Sequence, residues 1–293
     1  MNFSKNLRSA AACCVLLMAC RDGEPDGPDA GSDADGDADS DLDVDASGSE
    51  CAAPREDALP WLGDLLGADV ATISLSSRTE PGSTWSVGAY FFAEQSCDDE
   101  EMIGGCRICR SVSTTAHDPP RGVGEIQITT TLETVALQPG ADGSYGWTYG
   151  AGPTLFAPGE SIAVLAAGGF YPSFDETFAA PALAEVSVAG TRVSGDLVAS
   201  ATDPLRVDWS GSDVADELVV VTMSRTAADY VSAECVFLAA DSTCGEVPAE
   251  VVAGLADTHL TAAALTHAVV TTSAGTITIV ASVSHDAAGL RVE

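Results

Sequence analysis

The chain of 293 residues carries 44 acidic against 12 basic side chains, a formal charge of −32, with 46% hydrophobic but only 6% aromatic residues. That length accommodates a leader and one or two packed domains, and the absence of a glycine period, a heptad run or a second long apolar stretch excludes collagen, coiled coil and polytopic membrane protein. A nucleic-acid partner is excluded too, because displacing counterions from phosphates needs clustered Lys and Arg and the only lysine is Lys5.

Lys5 and Arg8 precede a short apolar stretch from Ala10 to Ala19. A membrane-spanning helix needs about 20 apolar residues, so residues 1–19 read as a signal peptide. The stretch ends on Leu17-Met18-Ala19-Cys20, which resembles a bacterial lipobox. The resemblance implies that the Cys20 sulfur is lipidated and that Cys20 opens the mature chain. Several acyl chains anchor firmly, since each buried methylene adds about 0.8 kcal/mol. The competing reading is an ordinary secretory signal cut nearby. Arg21, where an Asp would favour inner-membrane retention, points to an extracytoplasmic, lipid-anchored protein at the outer membrane or cell surface, with Asp22 leaving the inner membrane as the alternative.

Residues 20–50 form the next segment. From Arg21 to Glu50 there are twelve acidic residues, one arginine and little that could join a core. Such a composition predicts a disordered, solvated linker with a reach of roughly 30 Å or more. Asp recurs at every second position from Asp33 to Asp45, but the EF-hand spacing fails: starting at Asp43, Gly48 stands sixth and Pro54 twelfth, where Glu is required. Diffuse cation binding remains the alternative to a plain stalk.

From residue 51 onward, 32 acids face nine arginines, a charge of −23. Strand patterns dominate. Ile73 and Leu75 alternate with Thr72, Ser74 and Ser76; Ile126, Ile128 and Leu132 alternate with polar neighbours; Leu205, Val207 and Trp209 share one face. Residues from about Leu260 to Ser284 read as a hairpin turning at Ser273-Ala274-Gly275. Short helices are expected around Trp61 to Leu66 and from Pro248 to Leu255. Strands recurring about every ten residues predict an all-β protein with two β-sandwich domains, 51–183 and 184–293, divided by the small, Pro-containing stretch near Ala179 to Ala184.

The lipobox, the Asp-rich tract, an aromatic and Thr-rich β block and a terminal block built around RVDWSG, SAECVFLAADSTCGEVPAEVVAGL and GTITIV resemble uncharacterised secreted lipoproteins of the myxobacterial type. The resemblance implies an immunoglobulin-like or fibronectin III-like C-terminal sandwich, here without the paired cysteines that flank the core Trp of antibody domains.

Once Cys13 and Cys14 leave with the leader and Cys20 is lipidated, six cysteines remain, an even number for an oxidising compartment. Cys235 and Cys244 are expected to pair within one local strand and return, leaving Cys51, Cys97, Cys106 and Cys109 with three possible connectivities. Cys106-Arg107-Ile108-Cys109 also has redox or zinc spacing. A redox thiolate needs a helix N-terminus, however, whereas Ser111 to Thr115 reads as a strand, and a four-cysteine zinc site needs a second close pair. Structural disulfides are therefore the expectation, with no resident metal or cofactor.

No nucleophile elbow, HExxH helix or phosphate loop occurs. His117, His259, His267 and His285 are scattered, and neighbours in Ser284-His285-Asp286 would point to opposite faces of a strand. A non-catalytic binding, adhesion or envelope-structural role is therefore expected, the alternative being a surface-tethered, glycosidase-like hydrolase of extracellular polymer with paired carboxylates. The binding candidate is Tyr145, Trp147 and Tyr149, which on a strand share one face at about 6–7 Å spacing and suit a carbohydrate or protein ligand. The alternative is an aromatic lid on the first sandwich, with Phe170, Tyr171 and Phe174 as candidates for the same cluster. Asp98, Asp99, Glu100 and Glu101 read as a solvated acidic tip, with calcium binding as the alternative.

Overall fold

The alternating patterns become strands in the computed structural model, which describes residues 51–293 apart from 59–70, 79–83, 92, 117–120, 141–143, 153, 184, 194, 211, 213 and 226–229. The leader, Cys20, the acidic linker and the helix expected at Trp61 to Leu66 lie outside the described residues. The first eleven strands are β1 (Ala71–Arg78), β2 (Thr84–Tyr90), β3 (Ala93–Cys97), β4 (Glu100–Ile103), β5 (Cys106–Cys109), β6 (Val112–Ala116), β7 (Ile126–Thr129), β8 (Thr134–Leu137), β9 (Thr148–Ala151), β10 (Ser161–Ala166) and β11 (Phe174–Ala179). They are followed by β12 (Val186–Val188), β13 (Thr191–Val193), β14 (Asp196–Ala199), β15 (Leu205–Trp209), β16 (Leu218–Arg225), β17 (Val231–Leu238), β18 (Cys244–Val247), the short helix α1 (Ala249–Ala253), β19 (Thr258–Thr272) and β20 (Gly275–Val292). Helix α1 starts after Pro248, whose missing N–H costs nothing at a helix start.

One large sheet runs β4-β5-β17-β16-β19-β20-β1-β2-β9, with β14 and β13 attached beside β20. Its inner face carries two cores. The first packs Ile73, Leu75, Trp85, Val87, Ile277 and Ile279 against Ile126, Ile128, Ile162 and Val164 of the sheet β11-β10-β7-β8. The second packs Val219, Val221, Met223, Phe237 and Leu260 against Val186, Val207, Trp209 and Val247 of the sheet β12-β15-β18. In the second sandwich, three strands face β17-β16-β19-β20, which is the strand order of a fibronectin type III domain.

The chain passes from one core to the other between Ala180 and Leu183, beside the division read at 183/184. The hairpin β19–β20 nevertheless lines both cores, so Cys51–Glu293 is one undivided unit. This hairpin is longer than the 260–284 expected from the alternation. It stays in phase through a β-bulge: Ala263 pairs with Ser284 but Ala262 with Asp286, so His285 is the extra residue. Inward positions on β20 accordingly switch from odd (Ile277, Ile279, Ala281, Val283) to even (Ala288, Leu290), and one strand can serve both sandwiches.

A second tie joins the two blocks. Strands β4 and β5 belong by sequence to the first block, yet β5 pairs with β17 of the second. They connect through Gly104 and Gly105, both at positive φ (55° and 83°), the requirement of a two-residue hairpin turn that an L side chain meets poorly.

Two local expectations are corrected. Leu132 does not continue the β7 alternation. The Thr130 hydroxyl accepts the N–H groups of Leu132 and Glu133, turning the chain and leaving Leu132 54% exposed. The pairing of Cys235 with Cys244 is also wrong: the bridges are Cys51–Cys244, Cys97–Cys109 and Cys106–Cys235. Cys235 on β17 and Cys244 on β18 belong to opposite sheets of the sandwich. Each instead meets a strand brought alongside from far away, Cys235 the hairpin strand β5 and Cys244 the segment around Ala52.

Candidate functional site

The aromatic run does not form one face. Strand β9 begins only at Thr148, and the chain before it is irregular, so the period-2 relation is broken between Tyr145 and Trp147. Tyr145 turns into the first core. Its hydroxyl donates to the Gly124 carbonyl (2.7 Å) and accepts the Val123 N–H (3.1 Å), and burial pushes its pKa up. Its ring meets Phe91 at 5.3 Å, Phe91 meets Tyr171 at 5.9 Å, and Tyr171 meets Phe170 at 5.2 Å. This chain of rings ends at the surface, where Phe170 is 52% exposed beneath the Arg121 guanidinium. Phe174 packs partly buried against the same core.

Trp147 and Tyr149 stay together on the outer side of the β2–β9 ribbon, at the edge of the large sheet. Trp147 lies half-buried flat over Gly88, one position beyond the paired Val87 and Thr148; any Cβ at Gly88 would collide with its ring. On the opposite side Trp85 covers Gly150 in the same way and fills the core. Each indole therefore occupies the space a cross-strand glycine leaves open. Tyr149, opposite Ser86, is 57% exposed. Two aromatic rings are thus held at two-residue spacing on a rigid ribbon, one seated and one exposed, which is suited to stacking on a flat apolar ligand face.

A second cluster was not foreseen. Arg107 on β5 reaches Glu100 Oε2 with Nε (2.9 Å) and Nη2 (2.8 Å), while its Nη1 stands 3.9 Å from Glu234 Oε2 on β17. Glu234 is 4% exposed, and burial drives its pKa up to about 7, Arg107 opposing the shift and Glu100 adding to it. The sequence signal was one acid inside the apolar run Ser232-Ala233-Glu234-Cys235-Val236-Phe237. A carboxyl so enclosed has no face on which to meet a polymer. Asp98 to Glu101 are all exposed, as expected of a solvated tip: Asp98 and Asp99 form the bend between β3 and β4, with Asp98 accepting the Ser113 hydroxyl, while Glu100 and Glu101 open β4 and pair with Arg107 and Arg110.

The six cysteines all lie in bridges, but Cys106 and Cys109 cannot act as a pair. Three residues apart on one strand, they point to opposite faces, Cys106 into the second core toward Cys235 and Cys109 outward toward Cys97. The histidines remain dispersed. Burial lowers the pKa of His267 and of His285, and His285 Nε2 is buried without a hydrogen-bond partner at the β20 bulge. Among the described residues no group of three or more His, Cys, Asp or Glu is placed to hold a metal ion.

No protein-family model and no curated protein sequence matches the chain. Similar solved structures include a tetra-tandem repeat in the extending region of a large adhesion protein, 16% identical over 75% of this chain and 50% of that one, with a TM-score of 0.18. Others are Dpr2 Ig1-Ig2 in complex with DIP-Theta Ig1-Ig3, 10% identical over 75% and 94% with a TM-score of 0.18, and chicken CNTN1 FN1-FN3, 8% identical over 80% and 66% with a TM-score of 0.19. The chain spans half the length of the adhesion-protein repeat. The all-β architecture rests on the strand pairing itself and not on these weak overlaps.

Proposed function

We propose that the protein is an extracytoplasmic binding or adhesion module, lipid-anchored through Cys20 at the outer membrane or cell surface and carried on the acidic linker of residues 21–50. The observation that carries the binding role is the outward pair Trp147 and Tyr149 on the edge of a disulfide-stapled sheet. Rigid aromatic faces lose little side-chain entropy on binding, and a flat sugar face or an apolar protein side chain can stack on them. Tyr145, engaged in the core, contributes stability and makes no contact with the ligand.

Binding of wild type, Trp147→Ala and Tyr149→Ala to a glycan array and to neutral polysaccharide tests this reading. The expected loss is about 1–3 kcal/mol for each variant, or roughly 5- to 150-fold in affinity, with unchanged thermal stability for Tyr149→Ala. Equal retention by wild type and both variants removes the site. For the anchor, the N-terminal peptide of protein purified from native membranes is expected to begin at acylated Cys20; an intact Met1 rules the anchor out.

A further inference from the structure

The β4–β5 hairpin carries a shared cation at the point where it docks. Its strand β5 pairs with β17 so that Glu234 stands opposite Arg107, and the Cys106–Cys235 bridge lies one residue along both strands. The hairpin therefore cannot leave β17, and any freedom is confined to β4, whose only strand partner among the described residues is β5. Arg107 is divided between two carboxyls. The half-exposed Glu100 holds Nε and Nη2 at hydrogen-bond distance, while Nη1 and the buried Glu234 Oε2 face each other at 3.9 Å, neither with a hydrogen-bond partner.

We propose that this cluster is a pH-sensitive device: Arg107 locks β4 through Glu100 while Glu234 is protonated, and is drawn to Glu234 when that carboxyl ionises, loosening β4. The described groups facing Glu234 are few. Thr222 on β16 lies directly opposite, with Thr261 beyond it on β19, His259 two residues further along that strand, and Tyr230 bonded to Ser232. Arg107 is the permanent cation among them. A buried carboxylate needs a charge-assisted hydrogen bond at about 2.7–2.9 Å, and Nη1 is about 1 Å short of that distance. Closing the gap moves the guanidinium away from Glu100.

Burial raises Glu234 from 4.5 to about 7, so folding favours its protonated form. Its effect is absent below the ordinary carboxyl range, and stability then falls as pH rises from about 4.5 to about 7. The loosening therefore belongs to the neutral-to-alkaline side.

Amide hydrogen exchange of the full chain at pH 6 and pH 8, corrected for intrinsic base catalysis and with bridges intact, tests this. Protection at Glu101 to Ile103 is expected to fall roughly tenfold at pH 8 in wild type and to stay constant in Glu234→Gln. Constant protection in wild type, or an equal fall in Glu234→Gln, overturns the proposal. Should Glu234→Gln fail to fold, carboxyl carbon NMR of the wild type decides. A Glu234 midpoint near 7, with the Glu100 shift following it, supports the device, and a midpoint in the ordinary carboxylate range, or an unresponsive Glu100, sinks it.

Discussion

Glu217 is fully buried and holds the passage between the two sandwiches. One of its carboxyl oxygens accepts the N–H groups of Ala182 (2.9 Å) and Leu183 (3.0 Å), and the other accepts the Ser212 hydroxyl. Those amides lie in the connection between β11 and β12, outside the named strands. Removing the carboxylate leaves buried donors bare, and an unsatisfied buried group costs more than a surface contact gains. Glu217→Ala is therefore expected to cost about 2–4 kcal/mol, read as a lower urea midpoint at unchanged slope, with Glu217→Gln costing less because it keeps an acceptor. In the sequence Glu217 is one of 32 acids after residue 50, and nothing local sets it apart. Glu234 was more legible, as a lone charge in an apolar run, but the Arg107 that meets it comes from more than a hundred residues away.

At the scale of elements, what could be read from the sequence is what depends on neighbours two positions apart. Strands β1, β7 and β15 follow the alternation of Ile73 and Leu75, of Ile126 and Ile128, and of Leu205, Val207 and Trp209, and the β19–β20 turn falls at the expected Ser273-Ala274-Gly275. What could not be read depends on register between distant strands. The cysteine pairing is one case; the splitting of Tyr145 from Trp147 is another, because continuity of a face requires an unbroken extended chain. The β20 bulge is a third. His285, the extra residue there, has a side chain poorly suited to its half-buried place. Deleting His285 would remove the extra residue and restore strict alternation, leaving Ala288 and Leu290 opposite Leu260 and Thr258 and still facing the second core. The expected outcome is a retained second core, seen as unchanged near-ultraviolet circular dichroism from Trp209, whose ring packs against Phe237, and a lost signal would mean that the core needs the local bend of the bulge itself. His285→Ala, which keeps the residue count, is expected to leave that signal intact.

For the molecule as a whole, the two cores share a spine, and this has consequences for unfolding. If each sandwich closed on its own strands, their unfolding would separate into two transitions, as is common for tandem domains. Here β20 donates Ile277 and Ile279 to the first core and Ala288 and Leu290 to the second, and β19 runs beside it throughout. The Cys106–Cys235 bridge adds a covalent tie between the blocks. Unfolding either core frays a strand that the other requires, so Cys51–Glu293 is expected to unfold in one transition, with calorimetric and van't Hoff enthalpies in agreement. Ile279→Ala in the first core and Leu260→Ala in the second, each fully buried, should lower that common transition by about 2–5 kcal/mol apiece. Two resolved transitions, each moved by only one of the substitutions, would mean that the hairpin transmits no stability between the sandwiches. A single transition shifted by both would make the pair one mechanical body, presenting the Trp147–Tyr149 ribbon at a fixed angle to the fibronectin-like block that ends the chain.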